Sequence, residues 1–252
     1  MAAVLPLKQV SPRMPTPSKF EVTCSNCNLR ELCLPGRLCA EDLARVENVV
    51  YARRRLKRGE ALFKAGSEFN AVYAIRSGFF KTSLVDGEGR EQVTGFFMGG
   101  ELIGLDGLGS GTYNGSAIAL EDSEACVLPY ALIEEMAREI PTLQRHLHSV
   151  LAREIVRDHG VMMLLGSMRA EERLATFLLN LSKRFVRRGY SASEFHLRMT
   201  REELGSYLGL KLETVSRLFS AFQKDGWIDV QQKHVRIVDI AGLESVVAGS
   251  RN

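Results

Sequence analysis

No window of the 252 residues approaches eighteen uninterrupted apolar side chains, so no helix long and greasy enough to cross a bilayer is expected. Residues Met1 to Pro6 lack a basic leader followed by an apolar stretch, and a cytoplasmic location without membrane attachment is expected. The chain has no P-loop, no zinc-protease helix motif and no nucleophile elbow, and is not expected to be an enzyme. Its histidines, His146, His148, His159, His196 and His234, form no ligand pattern. Cysteine is sparse and odd in number: Cys24, Cys27, Cys33, Cys39 and Cys126 cannot complete a disulfide framework, which turns attention to metal or redox chemistry. Apolar residues at 45% and charged residues at 25% exclude a largely disordered, collagen-like or coiled-coil chain, and the length allows two domains, each with its own core.

Charge is unevenly spread. Residues 169 to 252 carry 14 Lys and Arg against 10 Asp and Glu, whereas the remainder is almost balanced, a bias that suits a polyanion partner and equally a solvated face. The first 20 residues, with Pro6, Pro12, Pro15 and Pro17, show no apolar period and are expected to form a flexible arm. From about Val50 the pattern becomes short β-rich runs punctuated by glycine: Ala71–Ile75, Phe79–Val85, Val93–Phe97 and Ala117–Leu120, the spacing of a sandwich or barrel. Asp86-Gly87-Glu88-Gly89 is the best hairpin turn among them. Helical periodicity takes over near Pro141, a residue suited to a first helical turn, and lasts to about Met168.

On that helix His148, Leu151, Ile155, Asp158, Met162 and Leu165 recur at steps of three and four, forming a seam that faces either its own domain or a second subunit. In a parallel pair two Asp158 carboxylates would approach each other and weaken the dimer. Further helices are expected over Ala170–Arg187, Thr200–Leu208 and Lys211–Lys224, followed by a two-stranded wing over Trp227–Val230 and Val235–Val238. Thr200-Arg201-Glu202-Glu203 fits a capping box, and Gly209 separates two short helices with apolar Leu204, Leu208, Val215 and Leu218, the pattern of a helix-turn-helix. Glu213, Ser216 and Arg217 share one polar face of the second helix. A guanidinium can bridge the acceptors of guanine, a carboxylate can accept from cytosine or adenine amino groups, and a hydroxyl can serve either way, so these three are the candidate readers of double-stranded DNA.

Cys24, Cys27 and Cys33 give C-x2-C-x5-C, which can wrap three thiolates around one face of a metal centre. The fourth ligand must come from elsewhere: Cys39 follows too closely to add much, whereas Cys126 lies in the β-rich region and could clamp the segment onto it. Four thiolates suit zinc or an iron–sulfur cluster, and spacing leaves both open.

The cysteine set, the glycine-rich β region with Arg58-Gly59-Glu60, Tyr73–Gly78 and Gly95-Phe96, the long helix, and Glu213-Thr214-Val215-Ser216-Arg217 occur in one order, and from about Cys24 to Val238 the chain closely resembles the FNR-type oxygen-responsive regulators of the bacterial CRP/FNR superfamily. The resemblance implies an α+β architecture: a flexible arm over 1–20, a cysteine-rich cluster-binding segment over 21–49, a β-roll sensor domain of cyclic-nucleotide-binding type over 50–136, a dimerisation helix over 137–168 and a winged helix-turn-helix domain over 169–252. It further implies a [4Fe-4S] cluster on Cys24, Cys27, Cys33 and Cys126 that oxygen degrades. The homodimer would form through Leu151, Ile155, Met162 and Leu165 with Asp158 opposing it, and would bind a TTGAT-like palindrome and contact RNA polymerase, one candidate surface being Asp86–Gly89. Cys39 departs from the family pattern. A cyclic-nucleotide-responsive regulator is the nearest alternative, since Gly100-Glu101-Leu102 resembles that sensor's phosphate loop. Gly115-Ser116-Ala117 lacks the preceding arginine, however, and no cyclic nucleotide is expected. A zinc-stabilised protein is the other alternative.

Overall fold

The structure is a computed structural model describing residues 24–36, 38–47 and 52–249. The arm expected over 1–20 lies outside these residues, as do parts of the cysteine-rich segment. After the short helix α1 (Ala40–Glu47) come eight strands: β1 (Ala52–Leu56), β2 (Ala61–Phe63), β3 (Ala71–Ser77), β4 (Phe79–Val85), β5 (Glu91–Met98), β6 (Leu102–Ile103), β7 (Ser116–Ala119) and β8 (Ser123–Pro129). They form two four-stranded antiparallel sheets, ordered β1-β8-β3-β6 and β2-β7-β4-β5. Tyr73, Ile75 and Ala125 of the first meet Phe80, Phe97 and Ala117 of the second in a core closed by a Phe63–Tyr113 stack at 4.1 Å. The β4–β5 hairpin turns at Asp86, whose carboxylate accepts the amides of Glu88 at 2.9 Å and Arg90 at 3.0 Å.

The outer face of the first sheet is covered by helices. Val72, Ala74 and Leu128 pack against Ile133 of α2 (Tyr130–Glu139) and Leu143, Leu147 and Val150 of α3 (Pro141–Ser167), together with Leu34 and Val46 from the cysteine segment and α1. The long helix starts at Pro141, where the helical periodicity takes over. Residues 137–139 end α2, because Ile140 takes an extended conformation and Pro141, whose missing amide hydrogen is harmless in a first turn, begins anew.

The C-terminal part comprises α4 (Ala170–Val186), β9 (Glu194–His196), α5 (Arg201–Leu208), α6 (Leu212–Lys224), β10 (Ile228–Gln231), β11 (His234–Ile237) and α7 (Ile240–Val247). The wing has three strands, in the order β10-β11-β9, where two are expected; β9 is a three-residue strand too short to leave a period in the sequence. The core of this part continues into the β region. Leu174, Phe177 and Leu178 share a buried cluster with Phe79, Val93, Phe96 and Met98 of the second sheet.

Candidate thiol pocket and nucleic-acid interface

Turn hydrogen bonds shape the cysteine loop. Cys27 donates to the Cys24 carbonyl at 3.1 Å, Arg30 to Cys27 at 3.1 Å and Cys33 to Arg30 at 3.0 Å, coiling Cys24 to Cys33 through a 3-10 turn. The amide of Ser25 donates to Glu47 at 2.6 Å, fastening the loop to α1, and buried Leu34 anchors its other end. The loop lies on the outer face of the first sheet, where Cys126 stands on β8 opposite Ala74 of β3. Cys24, Cys27, Cys33 and Cys126 all line one pocket, whose walls are otherwise mostly apolar. Burial pushes the Cys24 thiol up to about 11 and raises Cys33 and Cys126 as well, while the neighbouring thiols add to each rise. Among the described residues no group of three or more His, Cys, Asp or Glu is arranged to hold a metal ion. Cys39 is exposed beside the start of α1 and does not line the pocket.

The loop also touches the segment that joins the two halves. Leu29 and Leu32 sit so close to Gly99 and Gly100 that a Cβ there would come within 2.8 Å of either leucine. The Gly99 carbonyl accepts Arg188 Nε at 2.6 Å, and the next carboxylate, Glu101, accepts Arg184 at 2.6 Å and Arg188 at 2.7 Å. The glutamate that resembles a phosphate-loop residue is thus engaged by two arginines next to the C-terminal end of α4, an arrangement with no local sequence signal.

The helix-turn-helix is built as its sequence pattern requires. The Thr200 hydroxyl accepts the Glu203 amide at 3.1 Å and the Glu203 carboxylate accepts the Thr200 amide at 2.7 Å, a reciprocal cap. Gly209 closes α5 at φ +63°, a left-handed conformation that residues with a Cβ avoid. Leu204, Leu208, Val215 and Leu218 are all buried between the helices. Arg173 gathers three carbonyls at helix ends, donating to Met168 at 2.9 Å, Leu165 at 2.8 Å and Leu208 at 2.9 Å. Those contacts leave Glu213, Ser216 and Arg217 exposed on one side of α6. Arg201, absent from the sequence-based list of readers, lies over the Phe219 ring at 3.4 Å from its centroid, and burial brings its guanidinium down to about 10. Helix α5 docks on the second sheet: Ser206 Oγ accepts the Val93 amide at 2.8 Å, and Lys81 bridges Glu91 at 3.0 Å and Glu203 at 3.2 Å.

Along α3, Ile155 is 56% and Met162 60% exposed, Asp158 is exposed and Leu151 half-buried. Leu165 differs from the rest of the expected seam: it packs on the C-terminal core of its own chain. His148 and His159 are exposed. Next to the β4–β5 turn, Leu84 and Val85 are also exposed.

A roll of two antiparallel sheets, a long helix and a winged helix-turn-helix define the class of DNA-binding regulators. Residues 53–139 match the family model of the cyclic nucleotide-binding domain and residues 172–246 that of the Crp-like helix-turn-helix domain. The transcriptional regulatory protein btr of Bordetella pertussis is 45% identical over 224 residues, covering 89% of this chain and 93% of its own. The transcriptional activator protein anr of Pseudomonas aeruginosa is 45% identical over 226 residues (90% and 93%), and the fumarate and nitrate reduction regulatory protein of Escherichia coli 39% over 231 (92% and 92%). The chain belongs to the CRP/FNR family of transcription regulators and is not an enzyme. Among solved structures, FixK2 of Bradyrhizobium japonicum superposes with a TM-score of 0.71 at 27% identity, covering 79% of this chain and 98% of that one.

Proposed function

We propose that the chain is an oxygen-responsive regulator that carries a [4Fe-4S] cluster on Cys24, Cys27, Cys33 and Cys126 and binds DNA as a homodimer. The observation that carries this reading is the convergence of three loop thiols and one strand thiol on a single pocket. When bound, the cluster supplies an oxygen-labile tether between loop and sheet. The chain's own part is to hold the loop: Leu34 and Ser25 fix its two ends, and Cys126 offers the one ligand from β8. Ligation requires the thiols to lose their protons, which burial opposes at Cys24, Cys33 and Cys126, so metal binding and deprotonation are coupled.

Dimerisation proceeds through the exposed side of α3, where Ile155 and Met162 offer apolar surface and Asp158 opposes its own copy. A two-fold axis along such a helix pair sets two recognition helices about 34 Å apart, one turn of DNA. Glu213, Ser216 and Arg217 then read base edges of a TTGAT-like half-site, and Leu84, Val85 and the Asp86 turn offer a contact for RNA polymerase. The commitment of Glu101 to Arg184 and Arg188 favours this reading over a cyclic-nucleotide response. The protein works in the cytoplasm.

The deciding experiment is iron, acid-labile sulfide and zinc analysis with a visible spectrum, on protein purified without oxygen and then exposed to air. About four irons and four sulfides per chain, bleaching in air, are expected; zinc without sulfide would remove oxygen sensing and leave the DNA-binding function. At the other end of the molecule, Arg217→Ala is expected to lose about 1–3 kcal/mol of discrimination between operator and scrambled DNA with cluster content unchanged. Equal discrimination by variant and parent in a titration would show that Arg217 reads no base.

A further inference from the structure

We propose that Arg53 and Arg76 are the counter-charges of the thiol pocket: two guanidinium groups, from neighbouring strands on either side of β8, that help to retain the anionic cluster. The inference rests on the cluster reading above.

Arg53 of β1 is paired in register with Cys126 of β8. Residues directly opposite on antiparallel strands project from the same face as nearest neighbours, so the arginine and the thiol share the outer face of the sheet. Three arginines follow one another on β1, and the fold uses them differently. Arg54 donates to the Leu62 carbonyl at 2.5 Å, and Arg55 faces Glu124 at 3.9 Å. Arg53 Nε is buried, and among the described residues it has no hydrogen-bond partner. A buried guanidinium nitrogen without an acceptor is costly, and a native fold retains one where an anion completes it.

Arg76 flanks β8 from the other side. It sits in the irregular step of β3 between Ile75 and Ser77, beside β8, and lines the pocket with the four cysteines. Its Nε lies 3.5 Å from Glu124. Arg53 and Arg76 thus place two positive charges beside Cys126, one from each strand that flanks β8. The carboxylates of the neighbourhood are engaged elsewhere, Glu47 by the Ser25 amide and Glu124 by Arg76. Arg30, the remaining cation of the lining, is turned to Glu31 at 3.1 Å.

Charge balance explains why cations belong here. Four thiolates outweigh the positive charge of the iron–sulfur core, so the assembled group is an anion, and the pocket lining contributed by Leu29, Leu34, Ile75 and Leu128 can do nothing to solvate it. Neighbouring guanidinium groups supply what water would have supplied. They also stabilise an added electron, so their removal lowers the one-electron reduction potential of the bound group.

The test compares parent, Arg53→Met, Arg53→Lys and Arg76→Met chains after anaerobic reconstitution with ferrous iron and sulfide. Measured quantities are the rate at which a ferrous chelator strips the iron, the reduction potential, and the thermal melt of the cluster-free chain. Arg53→Met keeps the apolar stem and removes the charge; it is expected to melt like the parent, release iron several-fold faster and show a lowered potential, with Arg53→Lys restoring both. Arg76→Met, on a different strand, is expected to move both readouts the same way, and it decides the matter if Arg53→Met does not fold. Parent-like iron release and potential in the folded Met variants would overturn the proposal while leaving the cluster reading intact. A parent chain that takes up no iron and sulfide would overturn both.

Discussion

Cys126→Ser protein, purified and reconstituted without oxygen, is expected to hold no stable cluster and to bind operator DNA at least about a thousandfold more weakly than the parent, at the level of non-specific binding. Cys126 is the one thiol of the pocket that belongs to the sheet; the other three ride on residues 24–33. Without it the loop keeps its Ser25–Glu47 hydrogen bond and its Leu34 anchor but would have no thiol of β8 with which to share the proposed cluster. A serine hydroxyl does not take over, because it deprotonates far less readily than a thiol. The fold itself should survive: Cys126 is only half-buried, and serine is nearly isosteric. Iron and sulfide analysis, operator titration and a circular dichroism melt together separate ligand loss from unfolding. Parent-like iron and sulfide in the variant would remove Cys126 from the ligand set and put exposed Cys39 next in line.

Glu101→Gln is expected to destabilise the chain by about 3 kcal/mol, the low end for breaking a buried ion pair, since about a fifth of the carboxylate side chain still meets solvent. The loss arises because Arg184 and Arg188, 18% and 5% exposed, are left facing a neutral amide. The sign of the pH dependence follows from the same geometry. Burial pushes the Glu101 carboxyl up, yet the charge of Arg184, reinforced by Arg157 and Arg188, outweighs it and holds the group below its ordinary value of 4.5. A depressed carboxylate contributes stability that is present above 4.5 and lost as pH falls through the folded value. Urea melts at pH 7 and below pH 4.5 should therefore show the parent losing stability on acidification and the Gln variant losing less. A variant as stable as the parent at pH 7 would mean that the two arginines find other partners.

What could be read from the chain in advance was whatever has a short period. Strands β3, β4, β5 and β7 are apolar runs bounded by turn residues, and the Thr200 cap with Gly209 announces the helix-turn-helix locally. Strand β1 is hidden by Arg53-Arg54-Arg55, which replaces apolar alternation with charge, and β2, β6 and β9 are too short to carry a period. The cysteine spacing marks the loop, but the register that puts Arg53 beside Cys126 joins positions 73 residues apart and has no trace in either neighbourhood. Glu101 with Arg184 and Arg188 is hidden for the same reason. Leu165 keeps the step of the α3 seam and also packs, half-buried, against the C-terminal core, a contact that periodicity alone does not announce.

The apolar cluster that runs from Phe79, Val93, Phe96 and Met98 into Leu174, Phe177 and Leu178 bears on how such regulators can be recombined. A cut at Met168 looks natural on paper, since it falls between the long helix and the part that carries the helix-turn-helix. Made there, it would leave both pieces with a greasy scar, on β4 and β5 in one and on α4 in the other. A chimera that borrows this DNA-reading part for another sensor must carry matching partners for Phe177 and Tyr207, both packed on Phe96, along with the recognition helix.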